Sequence, residues 1–251
     1  MLKWQLGCEK DLCKAHRKES RIITKNHSKL SEIEAVIKDK QLLLFDLDGT
    51  LTDPKDGITR SFQYALEKMG IREERENLLR VIGPPLWDSF MDFYGMNREE
   101  ADRAVAFYRE RFAEIGLFEN EVIEGIPELL EELRTKGKTL AVATSKPTIY
   151  SVQILERFKL DKYFEEVVGS ELDGSRVRKK DIIAHVLQLT ARPARDGVMI
   201  GDRKHDIEGA RAHDMASIGV LFGYGSEEEL HTSGADYLAA SPSELRNLLL
   251  G

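Results

Sequence analysis

A chain of 251 residues with 41% hydrophobic and 32% charged residues has the length for one core domain plus a smaller insertion, and its balance excludes a wholly disordered protein. A formal net charge of -7 gives no general attraction to nucleic acid or to an anionic membrane, so neither is an expected partner, although local basic patches stay open. No apolar run reaches the ~18 residues of a membrane span, no signal-peptide core opens the chain, and Cys8 and Cys13 are too few to staple a domain, so the expectation is a reducing, cytoplasmic setting.

Residues 1–38 stand apart. They carry Lys3, Lys10, Lys14, Arg17, Lys18, Arg21, Lys25 and Lys29 with sparse apolar positions, and read as a basic extension, partly disordered, or as a start-site artefact. One helix is expected over 31–38, with Ser31 as cap and Glu34 three residues on. Cys8, Cys13 and His16 match no familiar zinc spacing.

The stretch QLLLFDLDGTLT, residues 41–52, follows. Leu42 to Phe45 read as a strand buried on both faces, and Asp46 and Asp48 stand at its carboxyl end, where open α/β sheets place ligands. Two like charges so close predict a bound cation or a carboxylate with a raised pKa. Gly49 and Thr50 are expected to turn the backbone close to an anion and offer it amide and hydroxyl donors.

Pro54 and Gly57 mark a turn, and the pattern is then helical to about Phe112. Phe62, Ala65, Leu66 and Met69 recur at helix spacing until Gly70, and Ala104, Phe107, Tyr108 and Phe112 do the same. Gly83, Pro84 and Pro85 interrupt, and an aromatic-rich helix carries Trp87, Phe90 and Tyr94. This is a small helical insertion placed to act as a lid beside the first strand's end.

Alternation of strand and helix then resumes. Ile126 to Leu133 is a helix stopped by Gly137, Thr139 to Ala143 a strand, and 144–147 a connection into the helix Ile149 to Phe158. Val167 and Val168 give a short strand, Lys180 to Leu189 a helix, Val198 to Ile200 a strand and Asp206 to Ala212 a helix. Ile218 to Leu221 closes a further repeat, and Ser241 with Glu244 caps a terminal helix. The fold class is α/β: a Rossmann-like parallel sheet covered by helices on both faces, with an inserted all-helical cap. The boundaries are 1–38 for the extension, 39–56 and 115–251 for the core, and 57–114 for the cap.

Polar groups gather at three strand ends: Asp46 and Asp48, then Thr144, Ser145 and Lys146, then Asp202 and Asp206. In a parallel sheet these ends share one side. Carboxylates without histidine or cysteine suit Mg2+ better than Zn2+; His205 reads as a surface or supporting residue. A metal beside a Gly-Thr turn and a hydroxyl pair is a site for phosphate, while phosphate-cradling and dinucleotide glycine motifs are absent. Capping of the following helices is the plainer reading for any one position, but not for the four aspartates together.

DLDGTLT at 46–52, the Thr144–Ser145 step, a lysine before the helix at 180 and GDRKHD at 201–206 resemble the four motifs of the haloacid-dehalogenase-like hydrolases, and the insertion resembles the helical cap of their phosphoglycolate phosphatase-like and 5'-nucleotidase-like branch. The likeness covers residues 41 to about 250. It implies Asp46 as nucleophile and Asp48 as general acid and base, its main-chain carbonyl on Mg2+, with Asp46, Asp202 and Asp206 as the other ligands. It also implies Thr144 and Lys179 as phosphoryl contacts, Lys179 being chosen over Arg178 and Lys180. Gly49, Thr50, Ser145, Lys146, Trp87 and Arg60 are expected to touch substrate, Trp87 more as an anchor of the cap than as a stacking surface. The implied function is a Mg2+-dependent phosphomonoesterase hydrolysing a small phosphorylated metabolite, phosphoglycolate-like, through an aspartyl phosphate, with a 5'-nucleotidase acting on nucleoside monophosphates as the alternative. A sugar-phosphate mutase, or a non-catalytic binding or regulatory module, would carry the same residues. The oligomeric state stays open between monomer and homodimer.

Overall fold

The computed structural model describes residues 36–251, so the expectations for Cys8, Cys13, His16, Ser31 and Glu34 lie outside the described residues. Residues 40–251 form one unit. It begins with β1 (Leu42–Phe45), every residue of which is buried. Next come β2 (Thr52–Asp53), α1 (Lys55–Lys68), a 3-10 turn Arg75–Val81, α2 (Leu86–Tyr94), α3 (Arg98–Glu114) and β3 (Glu121–Val122). Thereafter α4 (Ile126–Thr135), β4 (Thr139–Pro147), α5 (Thr148–Phe158), β5 (Glu166–Ser170), α6 (Lys179–Thr190) and β6 (Gly197–Gly201) alternate. The pattern ends with α7 (Lys204–Arg211), β7 (Ala216–Val220), α8 (Glu227–Ser233), β8 (Tyr237–Ala239) and α9 (Pro242–Leu250).

Six strands make a parallel sheet in the order β5-β4-β1-β6-β7-β8. β1 lies between β4 and β6, with Leu44 opposite Ala141 and Met199, which is why its sequence is apolar at every position. On one face Leu42, Leu44, Val168 and Met199 pack with Ile182, Ile183 and Val186 of α6. Leu43 and Phe45 are buried as well, and Phe45 meets Phe164 edge to face at 6.3 Å. Each such leucine contributes about 1.5–3 kcal/mol by leaving water. No helix among the described residues is long and apolar enough to cross a membrane.

The order of strands brings the carboxyl ends of β4, β1 and β6 side by side. The helical segment leaves and rejoins the core through a two-residue antiparallel ribbon, with Thr52 opposite Val122 and Asp53 opposite Glu121. Its centre is Phe62, stacked on Phe90 at 4.1 Å and flanked by Tyr94 and Tyr108 at 5.8 and 6.4 Å. Asn97 and Glu100 start α3 with a reciprocal capping box.

Four local expectations change. Gly57 lies inside α1 rather than in a turn, because a Cβ there would stand 2.1 Å from the Gly116 carbonyl oxygen and the close helix crossing needs its absence. Residues 144–147 continue β4 rather than leaving it, with a shift of register between Ala143 and Pro147. The β2–β3 ribbon and the short α8 are additions to the predicted elements. The terminal cap is as expected: Ser241 Oγ accepts from the Glu244 amide at 3.2 Å.

Candidate active site

Asp46 leaves β1, Asp202 follows Gly201 at the end of β6, and Asp206 lies on the first turn of α7; all three are buried. One carboxylate oxygen from each lies within 4.8 Å of the others. Lys179, the first residue of α6 and only 5% exposed, places its ammonium 3.0 Å from Asp46 Oδ1 and 2.7 Å from Asp206 Oδ1, and donates to the Ala143 carbonyl at 2.8 Å. Its neighbours are placed elsewhere: Arg178 pairs with Asp88 at 3.2 Å, and Lys180 is exposed.

The remaining oxygens divide into held and unheld. Asp202 Oδ2 accepts from the Tyr224 amide at 2.7 Å, and Asp206 Oδ2 accepts from the Arg203 amide at 3.0 Å. Asp202 Oδ1 is buried with no hydrogen-bond partner, and so is Asp48 Oδ1. Three buried carboxylates around one ammonium carry excess negative charge. Burial, followed by the charges of Asp46 and Asp206, pushes the Asp202 carboxyl well above the ordinary range. Burial likewise takes Asp206 up to about 6 against the pull of Lys179. An all-oxygen donor set with a partnerless buried oxygen fits a hard divalent cation.

Asp48 is organised separately. Its Oδ2 lies 2.7 Å from Lys146 Nζ, and that ammonium stands 4.7 Å from the centre of the Phe112 ring. Burial raises the Asp48 carboxyl, with Lys146 opposing and Asp46 adding to the rise. Thr144 Oγ1 accepts from the Lys146 amide at 3.3 Å, whereas the Ser145 hydroxyl donates to the Val177 carbonyl at 3.3 Å.

The Gly49–Thr50 turn packs closely against Asp202. With φ at +80° and a hypothetical Cβ 2.3 Å from Asp202 Oδ2, position 49 admits only glycine. Its amide donates to the Thr52 carbonyl at 2.7 Å, and the Thr50 amide to the Leu47 carbonyl at 3.3 Å. The expected amide donors are therefore used within the turn itself; Thr50 Oγ1 is buried without a partner.

Asp46 and Asp48 open into a cavity whose walls include Thr144, Ser145 and Lys146 from β4 and Trp87, Tyr108, Arg109 and Phe112 from the helical segment. Trp87 donates its indole N–H to Asp102 at 2.7 Å and carries the guanidiniums of Arg98 and Arg109 against its ring at 5.2 and 4.9 Å. The helical segment is fastened to the sheet side at several points: Arg203 Nη1 donates to the Ile82 carbonyl, Arg109 Nη1 to the Leu172 carbonyl at 2.6 Å, and Arg178 pairs with Asp88.

Arg60 does not belong to this cavity. It pairs with Asp56 at 3.0 Å and Glu119 at 2.8 Å on the exposed side of α1, away from the cavity where the sequence places it. Conversely, Tyr108, Arg109, Phe112 and Tyr150 line the cavity although the sequence does not mark them as site residues. For Tyr108 and Phe112 the signal is the stripe Ala104, Tyr108, Phe112, which reads equally well as core packing.

A model of the family described as "Haloacid dehalogenase-like hydrolase" matches residues 43–220. A protein of Pseudomonas aeruginosa named 5'-nucleotidase is 49% identical over 208 residues, 82% of this chain and 94% of the relative. The tyrosine-protein kinase PtkA of Mycobacterium tuberculosis is 40% identical over 213 residues, 83% of this chain and 72% of that protein. Among solved structures, a predicted phosphatase from Clostridium acetobutylicum superposes with a TM-score of 0.81 at 47% identity, covering 82% of this chain and 96% of that one.

Proposed function

The chain belongs to the haloacid dehalogenase-like hydrolases, and from that premise we propose that it is a Mg2+-dependent phosphatase that hydrolyses nucleoside 5'-monophosphates through an aspartyl phosphate on Asp46. The observation that carries the chemistry is the pairing of two unlike carboxylates at one strand end. Asp46 is held by Lys179 at 3.0 Å, while Asp48 has its carboxyl raised by burial and an unpartnered Oδ1.

In this reading an Asp46 oxygen attacks phosphorus, the P–O5' bond breaks, and Asp48 gives its proton to the departing nucleoside oxygen. Asp48, now ionised, takes a proton from water as that water attacks the phosphorus of aspartyl phosphate. The P–O bond to Asp46 breaks and inorganic phosphate leaves. Lys146 keeps Asp48 oriented between the two steps, and Lys179 holds Asp46 against Asp206 and Asp202 despite their repulsion. The Thr144 hydroxyl, whose oxygen already accepts from the Lys146 amide, keeps its own proton for a phosphoryl oxygen. Asp46, Asp202, Asp206 and the Asp48 carbonyl would hold magnesium, whose charge offsets that of the phosphoryl oxygens.

The leaving group is assigned from the relative named 5'-nucleotidase, 49% identical over 208 residues. The helical segment, residues 57–114, acts as the cap that admits this group and excludes water during transfer.

The test is phosphate release from UMP, CMP, IMP, AMP and phosphoglycolate, each with magnesium and with excess EDTA. Nucleotides are expected to exceed phosphoglycolate in kcat/KM by about tenfold or more, with activity lost in EDTA. Preference for phosphoglycolate would overturn the substrate, and full activity in EDTA the metal.

A further inference from the structure

Between β7 and α8 the chain runs Phe222, Gly223, Tyr224, Gly225, and this segment is wrapped closely on Asp202. A Cβ at position 223 would stand 2.4 Å from Asp202 Cβ and 2.4 Å from the Gly49 carbonyl oxygen, and one at position 225 would stand 1.9 Å from the Asp202 carbonyl oxygen. Only glycine lets the backbone come so near. The approach delivers the Tyr224 amide to Asp202 Oδ2 at 2.7 Å, so the carboxylate is gripped by one oxygen while Oδ1 stays buried without a partner.

Glycine on either side also leaves the aim of that amide loose, because both neighbours restrict the backbone least. The Tyr224 side chain removes the slack. Its ring lies against Gly49, where a Cβ would be 3.0 Å from Tyr224 Cδ2, and its hydroxyl donates to Asp53 Oδ1. Asp53 belongs to β2, the strand by which the helical segment leaves the core, and the same Oδ1 accepts from the Lys55 amide at 2.9 Å where α1 begins. One residue therefore touches the aspartate cluster with its main chain and the root of the helical segment with its side chain.

We propose that Tyr224 is a positioning residue for the cation: its hydroxyl, anchored on Asp53, fixes the amide that orients Asp202, and so sets how tightly the aspartate cluster holds Mg2+. The inference rests on the metal of the proposed function and is independent of the substrate. Magnesium demands near-ideal octahedral geometry, so a carboxylate free to rotate is a poorer ligand than one already turned to it. Hydrogen bonds that orient metal ligands carry about ten- to a hundredfold in affinity, and because the phenol works through the amide its share belongs at the lower end.

The test measures magnesium binding by the full-length protein without substrate, from the rise of its melting temperature with MgCl2 concentration, beside the magnesium dependence of phosphate release from UMP. Tyr224→Phe should bind Mg2+ about tenfold more weakly by both measures. Excess magnesium should restore its turnover, which a general loss of folded enzyme would not allow. Asp53→Ala should weaken binding to a similar degree, and the double variant no further than either single change, since all three remove the same contact. Asp53→Asn, which keeps an acceptor oxygen, should bind magnesium more tightly than Asp53→Ala. Each titration is referred to the variant's own melting temperature in EDTA, so a less stable variant still reports. An affinity of Tyr224→Phe within about twofold of wild type, or single effects that multiply in the double variant, would overturn the role of Tyr224 and leave the metal standing. A wild type whose melting temperature ignores magnesium and that releases phosphate fully in EDTA would overturn the metal itself, and this role with it.

Discussion

At the sheet end of the cavity, charges are held by one another: Lys179 by Asp46, Asp206 and the Ala143 carbonyl, Asp48 by Lys146, and Asp202 by the Tyr224 amide. At the helical end a single cation, Arg109, faces aromatic walls, and its support comes from Trp87 and the Leu172 carbonyl. The first arrangement is rigid because every displacement separates buried opposite charges. The second is set by packing between a helical segment and loops. Substitutions at the two ends should therefore fail in different ways.

The largest effect is expected at Asp46. Asp46→Asn keeps the shape and removes the proposed nucleophile, so kcat should fall by about a thousandfold or more on every substrate alike. Phosphate release with UMP and with an aryl phosphate measures it. Retained turnover on either would dissolve the assignment of chemistry to this end.

Lys179→Met comes next, because it leaves Asp46 and Asp206 buried without their counter-charge. Breaking such a pair costs about 3–5 kcal/mol, and urea unfolding in EDTA should show a loss of that order. Added magnesium should restore part of that loss in the variant, since it would supply positive charge to the same oxygens. A Lys179→Met protein as stable as wild type in EDTA would mean that the sheet end is not held by charge.

Much of this division is legible in the sequence, but unevenly. The strand of β1 and the aspartates behind it stand out because a run buried on both faces ends abruptly in carboxylates, a local pattern. Lys179 stands in a run of three cations. Only the turn at which α6 begins decides which one points inward, with Arg178 released to Asp88. Arg60 looks available for substrate because its partner Glu119 lies far along the chain and is brought near by the β2–β3 ribbon, itself too short to announce a pattern. Arg109 is hidden for the opposite reason. A charged residue beside the stripe of Tyr108 and Phe112 reads as solvent-facing, and its half-burial depends on the Leu172 loop 63 residues away. The Tyr224 amide that holds Asp202 carries no side-chain signal at all.

A smaller effect is expected where the two ends are joined. Arg203 pairs with Glu229 at 2.9 Å and donates to the Ile82 carbonyl, beside the Gly83–Pro85 loop of the helical segment. Arg203→Ala removes this fastening but leaves the main-chain N–H that Asp206 accepts. KM for UMP should rise about three- to tenfold, the loss of one or two charged hydrogen bonds, with a lesser change in kcat. A fall in kcat at constant KM would place Arg203 with the chemistry instead of the closure.

The smallest effect concerns His205, between Asp202 and Asp206 in sequence. Burial first, then the charges of Arg203, Lys204 and Lys179, lower its pKa from 6.5 to about 4. The folded protein therefore keeps His205 neutral where the unfolded chain already binds a proton. Between those values the unfolded state holds more protons at this residue, so its contribution to stability falls as pH falls from 6.5 towards 4 and is fully present above 6.5, while the raised carboxyls of Asp206 and Asp202 act in the opposite sense over the same range. His205→Asn, which cannot titrate, should flatten this limb by up to about one proton in the slope of unfolding free energy against pH, measured by urea unfolding in EDTA. The steeper acid loss attached to protonating paired carboxylates at lower pH should remain. An unchanged slope would mean that His205 titrates as a solvated group, and that the cationic surroundings of the sheet end do not reach it.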